Sequence, residues 1–329
     1  MTQVVKAPGE RRLSVESLGA PRGKPVFLLH GTPGNRNGPN PRGIVLYRLG
    51  IRLICYDRPG YPGSDRFRAR RVADAARDVE AIADQLGIER FSVVGRSGGA
   101  PHALACAAAL NDRVICAAAL GSLAPYDAMG EEWKIGMAES NVQAYKYAAE
   151  DIPALEAELD GRAEQARGRG RSDGLLTGLW PELNGHEKNV IGDMGLRRII
   201  AKTHAEALGK TADGWIDDVI ALSRPWGFEL SDITAPVKLW YARDDVFSPP
   251  GHTHWLAKRI QNADLDVEAG AAHFGAVEIL PQILAWVVKQ VKNEHRPEPV
   301  GAGHGDGPRA LSLAGTSPGR VSAPAGAAR

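Results

Sequence analysis

The sequence predicts an α/β protein: a mostly parallel β-sheet with helices on both faces and an inserted block of helices. Three observations carry that reading. Short unbroken apolar runs alternate with stretches of helical period up to about Leu120, the pattern of successive βαβ units. The alternation stops near Leu123 and resumes after Glu229, and the stretch between has helical period with no convincing strand. At 329 residues and 43% hydrophobic, the chain is long enough to bury one large core that accommodates such an insertion.

The elements follow in order. Val4–Lys6 and Arg11–Leu18 read as strands joined at Pro8-Gly9, a dipeptide that favours a turn. Val26–Leu29 and Ile51–Tyr56 are apolar throughout, as strands buried on both faces must be. From Val72 to Leu86, Ala75, Ala76, Val79, Ile82, Ala83 and Leu86 recur at helical spacing, and Gly87 closes that helix. Phe91–Val94 is the next strand, Ala100–Leu110 an alanine-rich helix that fits closely on a sheet, and Val114–Leu120 another strand. In the insertion, breaks are expected at Asp160-Gly161, Gly168–Gly174, Trp180-Pro181 and Gly192-Asp193. Beyond it, Val237–Tyr241 and Leu265–Glu268 read as strands, His252–Ile260 and Val277–Val291 as helices. The division is therefore 1–122 and 230–293 for the α/β core, 123–229 for the insertion, and 294–329 for a tail. Twelve of the last 35 residues are Gly or Pro and none is Phe, Trp or Tyr, a composition expected to stay disordered.

Composition excludes several classes of function. A net charge of +1 gives no basic patch for nucleic acid. Cys55, Cys106 and Cys116 have neither disulfide nor zinc-site spacing and read as inert buried thiols; no metal is expected, and no cofactor either. No apolar run approaches the ~20 residues that span a bilayer, and the N-terminus has no signal-peptide core. The expectation is a cytoplasmic protein without membrane partners, in which a homo-oligomer stays open. The insertion carries a net −7 against +8 for the rest, a balance that would favour cationic substrates if it faced a cleft.

Chemistry concentrates in Gly95-Arg96-Ser97-Gly98-Gly99, which fits G-x-S-x-G between a predicted strand and a predicted helix. So sharp a strand-to-helix turn forces its middle residue into a strained conformation and lifts the Ser97 hydroxyl above the sheet, at a helix N-terminus that favours developing negative charge. A hydroxyl needs a base to take its proton, and the base needs an orienting acid. His273 lies between the last predicted strand and the last helix, and Asp245 lies four residues past Tyr241. Both fall at C-terminal ends of strands, on the same sheet edge as Ser97. Asp244 reads as a flanking charge, and Asp127 is the other acid considered. The loop His30-Gly31-Thr32-Pro33-Gly34 follows the Val26 strand, and its Thr32 N–H with that of Gly98 makes a candidate oxyanion hole.

Together HGTPG, YDRPGYPGSD (56–65), GRSGG, the RDD turn and AAHF resemble the α/β-hydrolase fold superfamily over about residues 10–293. The resemblance implies a mostly parallel eight-stranded sheet and an active site between the sheet and a helical cap, here 123–229. Ser97 stands where the epoxide hydrolase and haloalkane dehalogenase branches need aspartate, and Ala242 where many relatives have glycine. HGTPG is similar to the loop of proline iminopeptidases, which usually carry two glycines after the histidine.

For substrate contacts the candidates are His30 and Arg96, the latter either paired with Asp57 or in the floor of the site, and Trp133, Trp180, Trp215 and Trp226. The expected activity is hydrolysis of a small-molecule ester, lactone or related acyl compound by a Ser97-His273-Asp245 triad. The alternatives are a proline-iminopeptidase-like aminopeptidase, a cofactor-free haloperoxidase-like perhydrolase, and a non-hydrolytic protein of the same fold.

Overall fold

A computed structural model describes residues 2–168, 174–269 and 272–294. The tail expected from 294 onward lies, past its first residue, outside the described residues, as does most of the expected break at 168–174. Eight strands form one sheet in the order β1-β2-β4-β3-β5-β6-β7-β8. They are β1 Thr2–Ala7, β2 Arg11–Gly19, β3 Lys24–Leu29, β4 Ile51–Tyr56, β5 Phe91–Arg96, β6 Val114–Leu120, β7 Val237–Ala242 and β8 Ala263–Glu268. Pairing is antiparallel for β1/β2 and β2/β4 and parallel from β4 to β8. The strand order reverses at β3, which lies between β4 and β5. At such a switch point the loops leaving two neighbouring strands diverge and open a crevice, so this is where an open α/β sheet places its site.

Side chains alternate along the central strands into two apolar layers. Phe91 and Val93 of β5 enter a cluster with α2 (Asp74–Gln85), α3 (Gly99–Ala109) and Leu256 of α10 (Pro250–Ala257). Val94 enters the opposite cluster, with Leu46 of α1 (Gly43–Leu49) and Leu284 and Val287 of α11 (Leu280–Glu294). Helix α3 is small-residued and buried almost throughout, so it lies directly on β5 and β6. Edge strand β8 is largely exposed, and Asp264 and Asp266 on it both pair with Lys238 of β7. Charge on an exposed edge discourages pairing with another chain.

Between β6 and β7 run α4 (Glu139–Glu150), α5 (Ile152–Gly168), α6 (Gly174–Leu179), α7 (Gly185–Gly192), α8 (Met194–Ala207) and α9 (Asp213–Leu222). The expected breaks at Trp180-Pro181 and Gly192-Asp193 are present, the second because the Asp193 side chain accepts from the Leu196 N–H and starts α8. The break expected at Asp160-Gly161 is absent. Leu155, Leu159 and Ala163 are fully buried at i, i+4 and i+8, and that stripe carries α5 through the glycine. Helices α4, α5 and α9 contribute to the larger core, whereas Leu176, Ile191, Leu196 and Ile200 of α6–α8 form a separate cluster with Phe247, from the loop after β7. The described residues are one compact unit, insertion included. Among the described residues no helix is long and apolar enough to cross a membrane.

Candidate active site

Strand β5 ends at Arg96 and α3 begins at Gly99, so the turn occupies two residues. Ser97 adopts φ +51°, a left-handed conformation that costs a non-glycine residue ~1–2 kcal/mol. The neighbouring glycines make the turn sterically possible. A Cβ on Gly95 would lie 2.2 Å from the Gly99 carbonyl oxygen, and one on Gly99 would lie 2.4 Å from the carbonyl oxygens of Leu29 and His30. Any larger residue at either place would push α3 away from β5 and β3. The strain is held by backbone bonds, from Ser97 N–H to the Leu120 carbonyl and from Ala100 N–H to the Ser97 carbonyl, both 2.8 Å.

Ser97, His273 and Asp245, far apart in sequence, form one chain of hydrogen bonds. His273 Nε2 lies 2.9 Å from Ser97 Oγ and its Nδ1 lies 2.8 Å from Asp245 Oδ2. The other Asp245 oxygen accepts the N–H groups of Phe247 and Ser248, both at 2.8 Å, which fixes the carboxylate. Burial lowers the proton affinity of the imidazole, but the charge of Asp245 and its hydrogen bond outweigh that and raise the His273 pKa above its ordinary value. Asp244 is half-exposed beside His186, 3.6 Å away, as a flanking charge would be, and Asp127 does not touch the imidazole.

A second carboxylate, which the sequence did not reveal, reaches the imidazole loop. Glu187 of α7 is fully buried, and its Oε1 accepts the backbone N–H of His273. Burial pushes its carboxyl up to about 7. Helix α7 of the insertion is thereby bonded to the loop that carries the histidine.

The loop after β3 is held from beneath by another unforeseen group. Asp218 of α9 is fully buried and accepts from Thr32 Oγ1 at 2.6 Å, Tyr61 at 2.8 Å, Arg70 at 2.6 Å and Arg58 Nε at 3.1 Å. Burial alone would raise its pKa, yet Arg58 and Arg70 hold it well below the carboxylate range. Arg58 also donates to the His30 and Gly31 carbonyls. Thr32 and Gly98 are in contact, since a Cβ on Gly98 would lie 2.2 Å from Thr32 Oγ1. Among the described residues neither of their backbone N–H groups has a protein acceptor. Two such donors beside a serine oxygen can stabilise negative charge on an acyl oxygen.

Above Ser97 is a cavity lined by the sheet-edge loops and by the insertion, including Tyr145, Leu175, Trp215 and Val219. Of the six candidate substrate contacts, Trp215 and Arg96 line it and four do not. His30 is 3% exposed and works inside the loop, with Nε2 accepting the Arg58 N–H. Trp133 is fully buried, its Nε1 donating to the Ala124 carbonyl and its ring edge-on to Tyr145 and His252. Trp226 is buried and stacks on Phe228, and Trp180 is surface-exposed beneath Lys188 and Arg197. Of these four tryptophans, Trp133 and Trp226 serve packing, Trp180 faces solvent and Trp215 alone lines the cavity. Arg96 does not pair with Asp57, whose carboxylate goes to Arg36. The net −7 of the insertion does not reach the cavity either: among the described residues its lining includes no Asp or Glu.

The chain belongs to the α/β-hydrolase fold family. Residues 24–278 match the model of the family described as alpha/beta hydrolase fold. Epoxide hydrolase B of Mycobacterium tuberculosis is 33% identical over 112 residues, which cover 33% of this chain and 31% of that protein. Proline iminopeptidase of Xanthomonas citri is 34% identical over 109 residues, 32% of this chain and 34% of that one. The chain thus matches about a third of the length of these curated relatives. Among solved structures, an esterase from Exiguobacterium antarcticum superposes with a TM-score of 0.64 at 21% identity, covering 89% of this chain and all of that one, a likeness of fold. Among the described residues there is no cluster of three metal-binding side chains.

Proposed function

We propose that the protein is a serine hydrolase of carboxylic esters, with Ser97 as nucleophile, His273 as general base and Asp245 as the group that fixes the imidazole tautomer. The observation that carries the reading is the unbroken relay Asp245–His273–Ser97, at 2.8 and 2.9 Å, ending on an oxygen presented by a strained turn. Ser97 Oγ attacks the ester carbonyl while His273 Nε2 takes its proton. The carbonyl electron pair moves onto oxygen, where the Thr32 and Gly98 N–H groups meet it. Collapse expels the alcohol, which receives the proton from His273 and leaves Ser97 acylated. Water, deprotonated by the same imidazole, then releases the acid and restores the serine.

In this reading residues 123–229 act as a cap that walls the acyl pocket and excludes water through Tyr145, Leu175, Trp215 and Val219. Epoxide opening through an alkyl–enzyme would need a carboxylate at position 97, where this chain has a hydroxyl. An aminopeptidase would need an acid to receive the substrate ammonium, and the lining has none among the described residues. The test is burst kinetics with a p-nitrophenyl ester, together with fluorophosphonate labelling followed by peptide mapping. A stoichiometric burst and label on Ser97 are expected. Full turnover by Ser97→Ala would overturn the covalent route.

A further inference from the structure

Arg96 is the residue before the proposed nucleophile, lines the cavity and is only 6% exposed. A guanidinium this buried is normally bonded to a carboxylate or to several carbonyls, because taking a charge out of water is costly unless it is paired. Arg96 has no such partner. Its Nε is sealed from solvent without an acceptor, and among the described residues none of its guanidinium nitrogens makes a hydrogen bond or an ion pair. The acids near the site are engaged elsewhere: Asp57 with Arg36, Asp245 with His273, and Glu187 with the His273 N–H. Beside it the Cys55 thiol, pushed up to about 12 by burial, is neutral and supplies no counter-charge. Arg162, the other arginine of the lining, is tied to Glu158.

We infer that Arg96 binds a carboxylate of the substrate, so that the ester cleaved at Ser97 is one whose acyl part bears a second, anionic acid group. A planar guanidinium offers paired N–H donors that match a carboxylate. The rest of the lining, with Leu123, Trp215 and Phe247, suits a hydrocarbon spacer between that carboxylate and the reacting carbonyl. A lining without acidic side chains leaves nothing to repel the anion. The assignment reverses the cationic preference that the insertion's net charge suggested. It rests on Ser97 being the nucleophile, and the experiment keeps the two claims apart.

Mono-4-nitrophenyl glutarate and 4-nitrophenyl pentanoate have equal acyl length and differ in the terminal carboxylate. The wild type is expected to hydrolyse the glutarate half-ester with a kcat/KM roughly ten- to a hundredfold higher, the size of a charge-assisted hydrogen bond. Arg96→Gln is expected to erase that ratio and Arg96→Lys to restore part of it. A wild type that treats the two esters alike or prefers the neutral one overturns the Arg96 assignment while leaving the Ser97 reading intact. So does an Arg96→Gln protein that keeps the wild-type ratio. If neither ester turns over, the Ser97 reading fails, and binding decides on Arg96 alone. By calorimetry Ser97→Ala is expected to bind mono-4-nitrophenyl glutarate at least tenfold more tightly than 4-nitrophenyl pentanoate, and equal affinities overturn the assignment. The wild-type ratio and the calorimetry need no Arg96 variant, so a substitution that fails to fold does not block the test.

Discussion

Two arginines lie under the same sheet edge and differ in almost everything but burial. Arg58, beneath the loop of Thr32, is 1% exposed and every nitrogen is bonded, to Asp218, to the His30 and Gly31 carbonyls and to Thr32 Oγ1. Arg96, next to Ser97, is 6% exposed and its guanidinium has no hydrogen-bond or ion-pair partner among the described residues. The first belongs to a closed circuit that includes Arg70 and Tyr61 and ties α9 of the insertion to the sheet. The second is open. Burial alone therefore does not identify a structural charge; the state of its hydrogen bonds does.

Substitutions put the contrast between the two arginines to the test. The largest effect expected is on the Ser97 side and is purely functional. Ser97→Ala should lower kcat by about 10⁴ or more on an ester the wild type cleaves while leaving the thermal midpoint nearly unmoved, as calorimetry would register. Next comes Asp218→Ala, which strands Arg58 and Arg70 as uncompensated buried cations. Denaturant unfolding should show a loss of about 3–5 kcal/mol. Arg96→Met should cost nothing or raise stability by about 1 kcal/mol, since it deletes a charge that is already unpaired. Destabilisation as large as that from Asp218→Ala would put the two arginines in one class and erase the comparison.

The smallest expected effect is on pH dependence. In the proposed mechanism the imidazole acts when neutral, so kcat/KM should rise with pH through a limb centred above the ordinary histidine value, because Asp245 raises the His273 pKa. Glu187 raises it further and Arg96 lowers it. Glu187→Gln should therefore move the limb to lower pH and Arg96→Gln to higher pH, each by less than about one unit in an esterase pH profile. In stability the sign for Glu187 is set by its carboxyl lying at about 7 in the fold, above an unfolded value near 4.5. The protonated form is the one the fold prefers, so the wild type loses stability as pH rises between those values. Glu187→Gln should flatten that fall.

What the sequence disclosed follows the same division. Strands such as Val26–Leu29 and Ile51–Tyr56 were legible because burial on both faces demands an unbroken apolar run. The turn at Ser97 was legible because its glycines are sterically required. Helix α1 escaped notice: Leu46 is its only buried residue while Ile44 and Tyr47 face solvent, so it has no apolar stripe to read. Asp218 and Glu187 were hidden for another reason. A carboxylate on a helix looks like a solvated charge until the fold brings Arg58 from 160 residues away, or the His273 backbone from 86. Trp133, Trp180 and Trp226 erred the other way, since aromatic size in the sequence carries no information about which side of a helix meets the cavity.

The glycines at 95 and 99 act as a thickness gauge. Helix α3 touches β5 and the end of β3 with no room for one extra carbon, and those two strands deliver the serine and the loop of Thr32. The spacing between the Ser97 oxygen and the Thr32 and Gly98 N–H groups, which the proposed mechanism needs, is thus machined by the absence of side chains. A methyl group added there would open that spacing and be felt first as a slower reaction, in a protein whose sheet and outer helices still assemble.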